Sequence, residues 1–450
     1  MILLAINWSA ALSNIGQFIL SFSILVVLHE LGHFIPAKWF GCRVEKFYLF
    51  FDPWFSIFKK KKGETEYGIG WIPLGGYVKI SGMVDESMDK EQMKLPPQPW
   101  EFRSKPAWQR LIIMIGGVVV NFLLAFIIFA GILFTWGEER LPVKNLTYGL
   151  AADSLALSIG MKDGDIIKQV NDKPLVYINT LPKDMMLAEK ATLIIARDGG
   201  DTSIVLPEGF ISKLTKSQLK GFVSPRMPVI VDSLSSEIEF TSGSFQKGDQ
   251  LISLGEKPFT YYNEFEKIKR EFKGQIVPVQ FIRNNMDTMT ASVKLRADGG
   301  VGFFAKTMDK FFVTEKVNYT LLESIPAGMT YGVERLKDYV TGIRLLFTSK
   351  EHKVNENLGS VVSIGKMFGG FWDWQRFWMM TALFSIILAF MNILPIPALD
   401  GGHALFTIVE MLTGRKPGDK FMEYAQMFGM FLLLGLMAYA LGLDILRLFK

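Results

Sequence analysis

From Met1 to Leu28 the chain carries no charged residue, and that run leads directly into His29-Glu30-Leu31-Gly32-His33. An apolar stretch of bilayer length satisfies its backbone as a helix. On a helix, positions four apart share a face, so His29 and His33 can bind one Zn²⁺ while Glu30 acts on water beside them. Ionisable groups are costly at membrane depth, so a His-Glu-His cluster there points to chemistry. A lone His in this setting reads as a hydrogen-bonded core residue; a pair flanking a Glu does not fit that reading.

The rest of the chain supports a membrane protein with soluble parts. Its 450 residues are enough for two or three domains, and its 49% hydrophobic residues are clustered rather than spread. A net charge of +5, with no basic stripe interleaved with aromatics, gives no sign of a nucleic-acid partner. Cys42 is the one cysteine, which excludes an intramolecular disulfide and any cysteine-based metal site.

Four uncharged runs reach spanning length: Met1–Leu28, Leu111–Trp136, Phe377–Leu399 and Ala425–Leu443. The first lacks a basic n-region and continues into the His-Glu pair, so it reads as a retained span rather than a signal peptide. Thirteen Lys and Arg fall in 36–110, including Lys59-Lys60-Lys61-Lys62, and none precedes Lys38. The positive-inside rule then puts 36–110 in the cytoplasm and the N-terminus, the long middle segment and the C-terminus outside. His33 falls near the cytoplasmic face.

Between the second and third runs lie about 240 residues with strand-like stretches such as Thr192–Ala196 and Val277–Ile282. Met161-Lys162-Asp163-Gly164-Asp165-Ile166-Ile167 is echoed by Phe245-Gln246-Lys247-Gly248-Asp249-Gln250-Leu251-Ile252, and the two Gly-Asp pairs are 84 residues apart. That is a domain-sized repeat. A Gly-Asp turn leading into a strand resembles PDZ domains, here as a tandem pair. Such domains bind peptide tails by adding a strand to a sheet edge; spacer or shielding domains without a peptide ligand fit the sequence equally. After the pair, Leu322, Ile325, Met329, Val333, Leu336, Val340, Ile343 and Phe347 mark an amphipathic helix. Its apolar face suits a membrane surface, the spans, or a PDZ-like neighbour.

A catalytic zinc site needs a third protein ligand. His352 sits in a polar stretch and reads as solvated. Asn392-Ile393-Leu394-Pro395-Ile396-Pro397-Ala398-Leu399-Asp400-Gly401-Gly402 closes the third run, just before His403. Its prolines break the helix, and irregular backbone at membrane depth belongs where it lines a cavity. Asp400 is the one acid between Asp373 and Glu410, which makes it the best candidate ligand. A span-ending turn with a solvated Asp is the alternative.

The His29–His33 motif in a first span, Asn392…Pro395-Ile396-Pro397…Asp400-Gly401 in a late one, and a PDZ insertion between them resemble the site-2 protease family. The resemblance is to its RseP-type bacterial branch with two PDZ domains, and it covers nearly the whole chain in order. It implies an intramembrane zinc metalloprotease of the bacterial inner membrane. His29, His33 and Asp400 would bind zinc, Glu30 would be the catalytic base, and Asn392 would handle substrate. The PDZ-like pair would lie on the periplasmic side, as a filter that excludes untrimmed ectodomains. Substrates would be single-span membrane proteins already trimmed by another protease, such as anti-sigma factors, or signal-peptide remnants.

The stretch Gly68-Ile69-Gly70-Trp71-Ile72-Pro73-Leu74-Gly75-Gly76-Tyr77-Val78-Lys79 resembles the family's membrane-dipping β-hairpin. Gly68, Ile69, Gly70, Trp71 and Ile72 are its candidate substrate-binding residues, since an edge strand can pair with an unwound substrate. A hairpin that merely anchors the loop is the alternative. The chain departs from the family's Gly-Pro pattern at Gly116-Gly117-Val118, followed by Asn121, and at Leu358-Gly359-Ser360-Val361. Neither site is expected to touch the ligands.

The fold expected is a polytopic α-helical membrane protein with four spans, a membrane-associated β-hairpin and two inserted β-rich PDZ-like domains. The divisions are 1–137, 138–222, 223–306, 307–374 (amphipathic helical region) and 375–450. The alternative function is an inactive membrane-anchored PDZ scaffold that only binds peptides; Glu30 argues against it.

Overall fold

The computed structural model describes residues 8–448 except 84–95, 189–190, 217–221, 236–237, 285, 298, 350–364 and 366. His352 and the stretch 358–361 therefore lie outside the described residues. The chain divides into two compact units, one of Met1–Gly137, Asn318–Arg344 and Asn357–Lys450, the other of Glu138–Val317 and Leu345–Glu356.

The first unit contains α1 (Trp8–Trp39), strands β1 (Val44–Phe51), β2 (Phe58–Lys62), β3 (Thr65–Ile69) and β4 (Ile72–Ile80), then α2 (Ala107–Trp136), α3 (Leu321–Thr348), α4 (Trp374–Ile393), α5 (Asp400–Thr413) and α6 (Asp419–Leu448). Among the described residues, four helices are long and apolar enough to cross a membrane: Trp8–Trp39, Ala107–Trp136, Trp374–Ile393 and Lys420–Leu446. α1 does not stop at the uncharged run; it carries the His-Glu-His cluster and Pro36 within its second half. α4 stops at Ile393 because Leu394 turns extended (ψ 142°) ahead of Pro395. α2 and α4 pack through Ala125, Ile128, Phe129 and Ile132 against Ala382 and Ile386.

α3 forms as its apolar periodicity requires. It docks by small residues: a Cβ on Gly328 would meet the Ala130 backbone, and one on Gly332 the Phe126 ring. Of its apolar stripe, Leu322, Ile325, Met329, Val333, Val340 and Phe347 remain exposed, as a helix lying against lipid would leave them.

The sheet order is β2-β3-β1-β4. This corrects the hairpin expected over 68–79. β3 and β4 are not paired to each other; β1 lies between them, parallel to β3 and antiparallel to β4. A non-local strand has inserted where a local turn was expected. β4 is consequently an edge strand among the described residues, as the strand-addition argument needs.

In the second unit the repeat is structural. Strands Ile166–Val170, Lys173–Pro174, Thr192–Arg197 and Gly200–Val205 recur, with the same neighbours, as Gln250–Leu254, Lys257–Pro258, Ile276–Arg283 and Asp287–Lys294. Gly164 (φ +99°) and Gly248 (φ +97°) make the turns, which a residue with a Cβ resists. The next residue, Asp165 or Asp249, takes a bidentate bond from Arg197 or Arg283. Each repeat has its own core, one around Ile167, Leu193 and Ile195, the other around Leu251, Val279 and Phe281. Val223–Pro225, which the expected division at 222/223 gave to the second repeat, pairs with Leu150–Ala152 of the first. Residues 307–317 also group with this unit rather than with the helical region: Glu315–Val317 pairs with Glu138–Arg140.

Candidate metal centre

His29 and His33 lie on the buried face of α1, with Gln17, Ser21 and Leu25 above them on the same stripe. Their Nε2 atoms are 3.3 Å apart. Asp400 Oδ2 is 3.3 Å from each. Three donor atoms thus form an equilateral triangle, and among the described residues this is the group of His, Cys and carboxylate side chains placed to share an ion. Asp400 Oδ2 is buried and, the two imidazole nitrogens aside, has no hydrogen-bond partner among the described residues, which is costly for an anionic oxygen unless a cation faces it. A zinc tetrahedron with bonds of about 2.0–2.1 Å has ligand–ligand edges of about 3.3–3.4 Å. The donor set and its spacing fit zinc.

Both rings are oriented from behind. His33 Nδ1 is 2.8 Å from the Ile113 carbonyl oxygen on α2. That carbonyl can only accept, so the proton sits on Nδ1 and the Nε2 lone pair faces the triangle. His29 Nδ1 is 3.1 Å from the Asn121 side-chain amide. Asn121 is wholly buried, and its backbone carbonyl accepts from Ser385 Oγ at 2.7 Å.

Two close approaches make the arrangement possible. Gly32 of α1 and Gly116 of α2 meet backbone to backbone, and a Cβ on Gly117 would fall on the His33 and His29 rings. The expectation that Gly116-Gly117 would not touch the ligands is therefore wrong; a side chain here would occupy the space of the imidazoles. Asp400 reaches the site because the chain folds back after α4. Ala398 adopts φ +78°, and Gly401 and Gly402 pack directly on the backbone of 393–394 and 396–397. Asp400 is the first residue of α5, where the helix dipole favours a carboxylate.

Glu30 opens onto a cavity of about 450 Å³ shared with His29, His33, Asp400 and the edge strand at Gly76–Ile80. Asn392 Nδ2 is 3.4 Å from His29 Nε2. The structure thus brings Glu30, Asn392 and the three donors together. It does not bring Gly68, Ile69, Gly70, Trp71 or Ile72 to the cavity; the lining part of the same stretch is 76–79, followed by Ile80. His403 faces a separate small cavity with Arg110 and Glu410. Sequence reasoning missed Asn121 and Gly117. An isolated amide in an otherwise apolar span was the available signal for the first; nothing local marked the second.

The model of Peptidase family M50 matches residues 17–436. The regulator of sigma-E protease RseP of Salmonella typhimurium is 27% identical over 472 aligned positions, covering 99% of this chain and all of that protein. A protein of Neisseria meningitidis serogroup A named as a zinc metalloprotease is 26% identical over 96% of this chain and 98% of its own length. One of Borreliella burgdorferi with the same name is 28% identical over 94% and 96%.

Proposed function

Since the chain belongs to peptidase family M50, we propose that it is a zinc metalloprotease of the bacterial inner membrane that cuts single-span proteins within their transmembrane segments. The observation that carries this is the 3.3 Å triangle of His29, His33 and Asp400 beside Glu30, on helices that suit a bilayer. When bound, zinc would supply a Lewis acid that polarises the scissile carbonyl and acidifies water. Glu30 takes the proton from the attacking water and later returns it to the departing amine.

A substrate helix has its amides locked in hydrogen bonds, and unwinding it in a dry setting leaves them unmet. Among the described residues β4 offers an unpaired edge at the cavity, where an unwound segment can add as a strand. Asn392, beside His29, offers an amide to the substrate backbone.

We read the basic segment 36–110 as cytoplasmic, which supports a cavity near that side and a second unit on the outer side. We read its two repeats as PDZ-like domains that exclude bulky ectodomains, with trimmed anti-sigma factors or signal-peptide remnants as substrates. In the second repeat, Phe303–Ala305 pairs with Val231–Leu234 and borders a cavity of about 200 Å³ with Tyr262, Phe265 and Arg296. That groove suits a peptide tail.

The test is co-expression of a tagged single-span substrate with wild type and Glu30→Gln. The variant should keep zinc and leave the substrate uncut. Cleavage at the wild-type rate would remove Glu30 from the mechanism. Replacing 140–305 by a flexible linker should admit bulky substrates; continued rejection of them, with trimmed substrate still cut, would refute the filter.

A further inference from the structure

The four-stranded sheet carries a surface that the metal centre does not use. β1 runs back along α1. Val44 joins the cluster around Ala37, Phe47 meets Phe34 edge-on at 5.5 Å, and Gly76, paired with Leu49, closes on Val26. These contacts step from the end of α1 towards its middle. The far end of the sheet, at 51–56 and 70–72, consequently lies alongside the span rather than beyond it.

Aromatic rings are stacked and uncovered at that end. Trp71 lies parallel to Phe55 at 5.7 Å and stacks on Trp54 at 6.1 Å. Its indole N–H donates to the Pro53 carbonyl at 2.9 Å. Trp54 is 90% exposed and has φ +72°, a left-handed backbone that bulky residues rarely adopt. Ile57 and Phe58 are also exposed.

β2 continues from Phe58 as Lys59-Lys60-Lys61-Lys62, exposed throughout. Its register with β3 sets Phe58 opposite Ile69 and Lys62 opposite Thr65. The lysines therefore climb from the aromatic end towards the end of α1, over roughly 10 Å at about 3.3 Å per residue. Among the described residues no ion pair engages them.

We propose that β2 makes this membrane-associated sheet selective for anionic phospholipid of the bilayer that α1 spans, its ammonium groups lying on lipid phosphates while the stacked rings sit at the acyl–headgroup boundary. The proposal rests on the membrane reading of α1, not on the peptidase assignment. Charge complementarity selects the partner. Four uncompensated cations have no use for a neutral lipid, and the exposed rings have no use for a soluble acidic protein. Lysine stems lie along apolar surface while their heads reach the phosphates, and each lysine near an anionic surface favours binding by about fivefold. Other residues of the sheet, Lys46, Phe51 and Gly76–Ile80, line the catalytic cavity, so lipid held at β2 steadies the wall that receives substrate.

The experiment uses the full chain in nanodiscs, carrying Cys42→Ala and a bimane on Ile57→Cys. Discs contain phosphatidylcholine and phosphatidylglycerol with bromine on one or the other. Brominated phosphatidylglycerol should quench the label at least fivefold more effectively at low salt. The preference should vanish in K59Q/K60Q/K61Q/K62Q and shrink in wild type at 0.5 M salt, roughly as a Debye length near 4 Å dictates. Equal quenching by the two lipids in wild type overturns the proposal, as does a preference that survives the fourfold substitution. The salt series needs no substitution in β2, so misfolding of the variant cannot shelter the idea.

Discussion

The side-chain amide of Asn121 lies 3.1 Å from Nδ1 of His29, inside the interface of the first two spans. If Nε2 of His29 faces the ion, Nδ1 carries the proton and Asn121 presents its oxygen. Asn121→Leu should weaken zinc binding by about 10–100-fold, read by competition with a chelating dye. Asn121→Asp, which keeps an acceptor, should recover most of it. Unaltered affinity in the Leu variant would mean that Asn121 does not orient the ring.

Gly117 gives the steric counterpart. A single methyl here falls on both imidazoles, and overpacking a tight site costs about 1–3 kcal/mol. Gly117→Ala should insert normally and lose zinc or turnover by on the order of 100-fold, the usual cost of displacing a reacting group by an ångström. Normal zinc content and cleavage rate would show that α2 can retreat.

These two residues also show where reading the sequence stops. His29, Glu30 and His33 were legible because their spacing is local and helical, and Asp400 because no other acid shares its apolar stretch. The repeat at Gly164-Asp165 and Gly248-Asp249 was legible because a positive-φ turn demands glycine. The insertion of β1 between β3 and β4 was not, since pairing between distant strands leaves no periodic mark in either. Gly117 was not, since its importance lies in which helix face it meets. The substrate contact expected at 68–72 falls on the end of β3 and the start of β4, whereas the far end of β4 lines the cavity.

Asn392 stands beside the triangle without being needed to complete it. Asn392→Leu should therefore retain zinc while lowering kcat/KM by about 10–100-fold, with partial rescue by a substrate whose helix is weakened by Gly or Pro near the cut. Loss of zinc in this variant would assign Asn392 to the metal site instead.

The second unit makes a pH prediction. Burial alone would raise the Asp165 carboxyl. Hydrogen bonds from Arg197 and from the Lys162 backbone N–H outweigh that and hold it below the ordinary carboxylate range. A depressed carboxylate contributes stability that is complete above its unfolded value, near 3.9, and is lost as pH falls through its lower folded value. Protease resistance of 138–317 in the intact protein should thus persist at pH 5 and fail below about pH 4. Asp165→Ala should cost about 3 kcal/mol at neutral pH, because Arg197 loses its buried carboxylate and keeps the Gly160 carbonyl. Resistance that is flat from pH 6 to pH 3 would count against the pair.

Whether His29, His33 and Asp400 together hold one zinc ion is read by zinc K-edge X-ray absorption on the purified full-length protein. The expected result is about one zinc per chain, with two imidazoles and oxygen donors at about 2.0–2.1 Å, and loss of the ordered shell in Asp400→Ala. A sulfur shell near 2.3 Å, or an imidazole shell unchanged by Asp400→Ala, would contradict it.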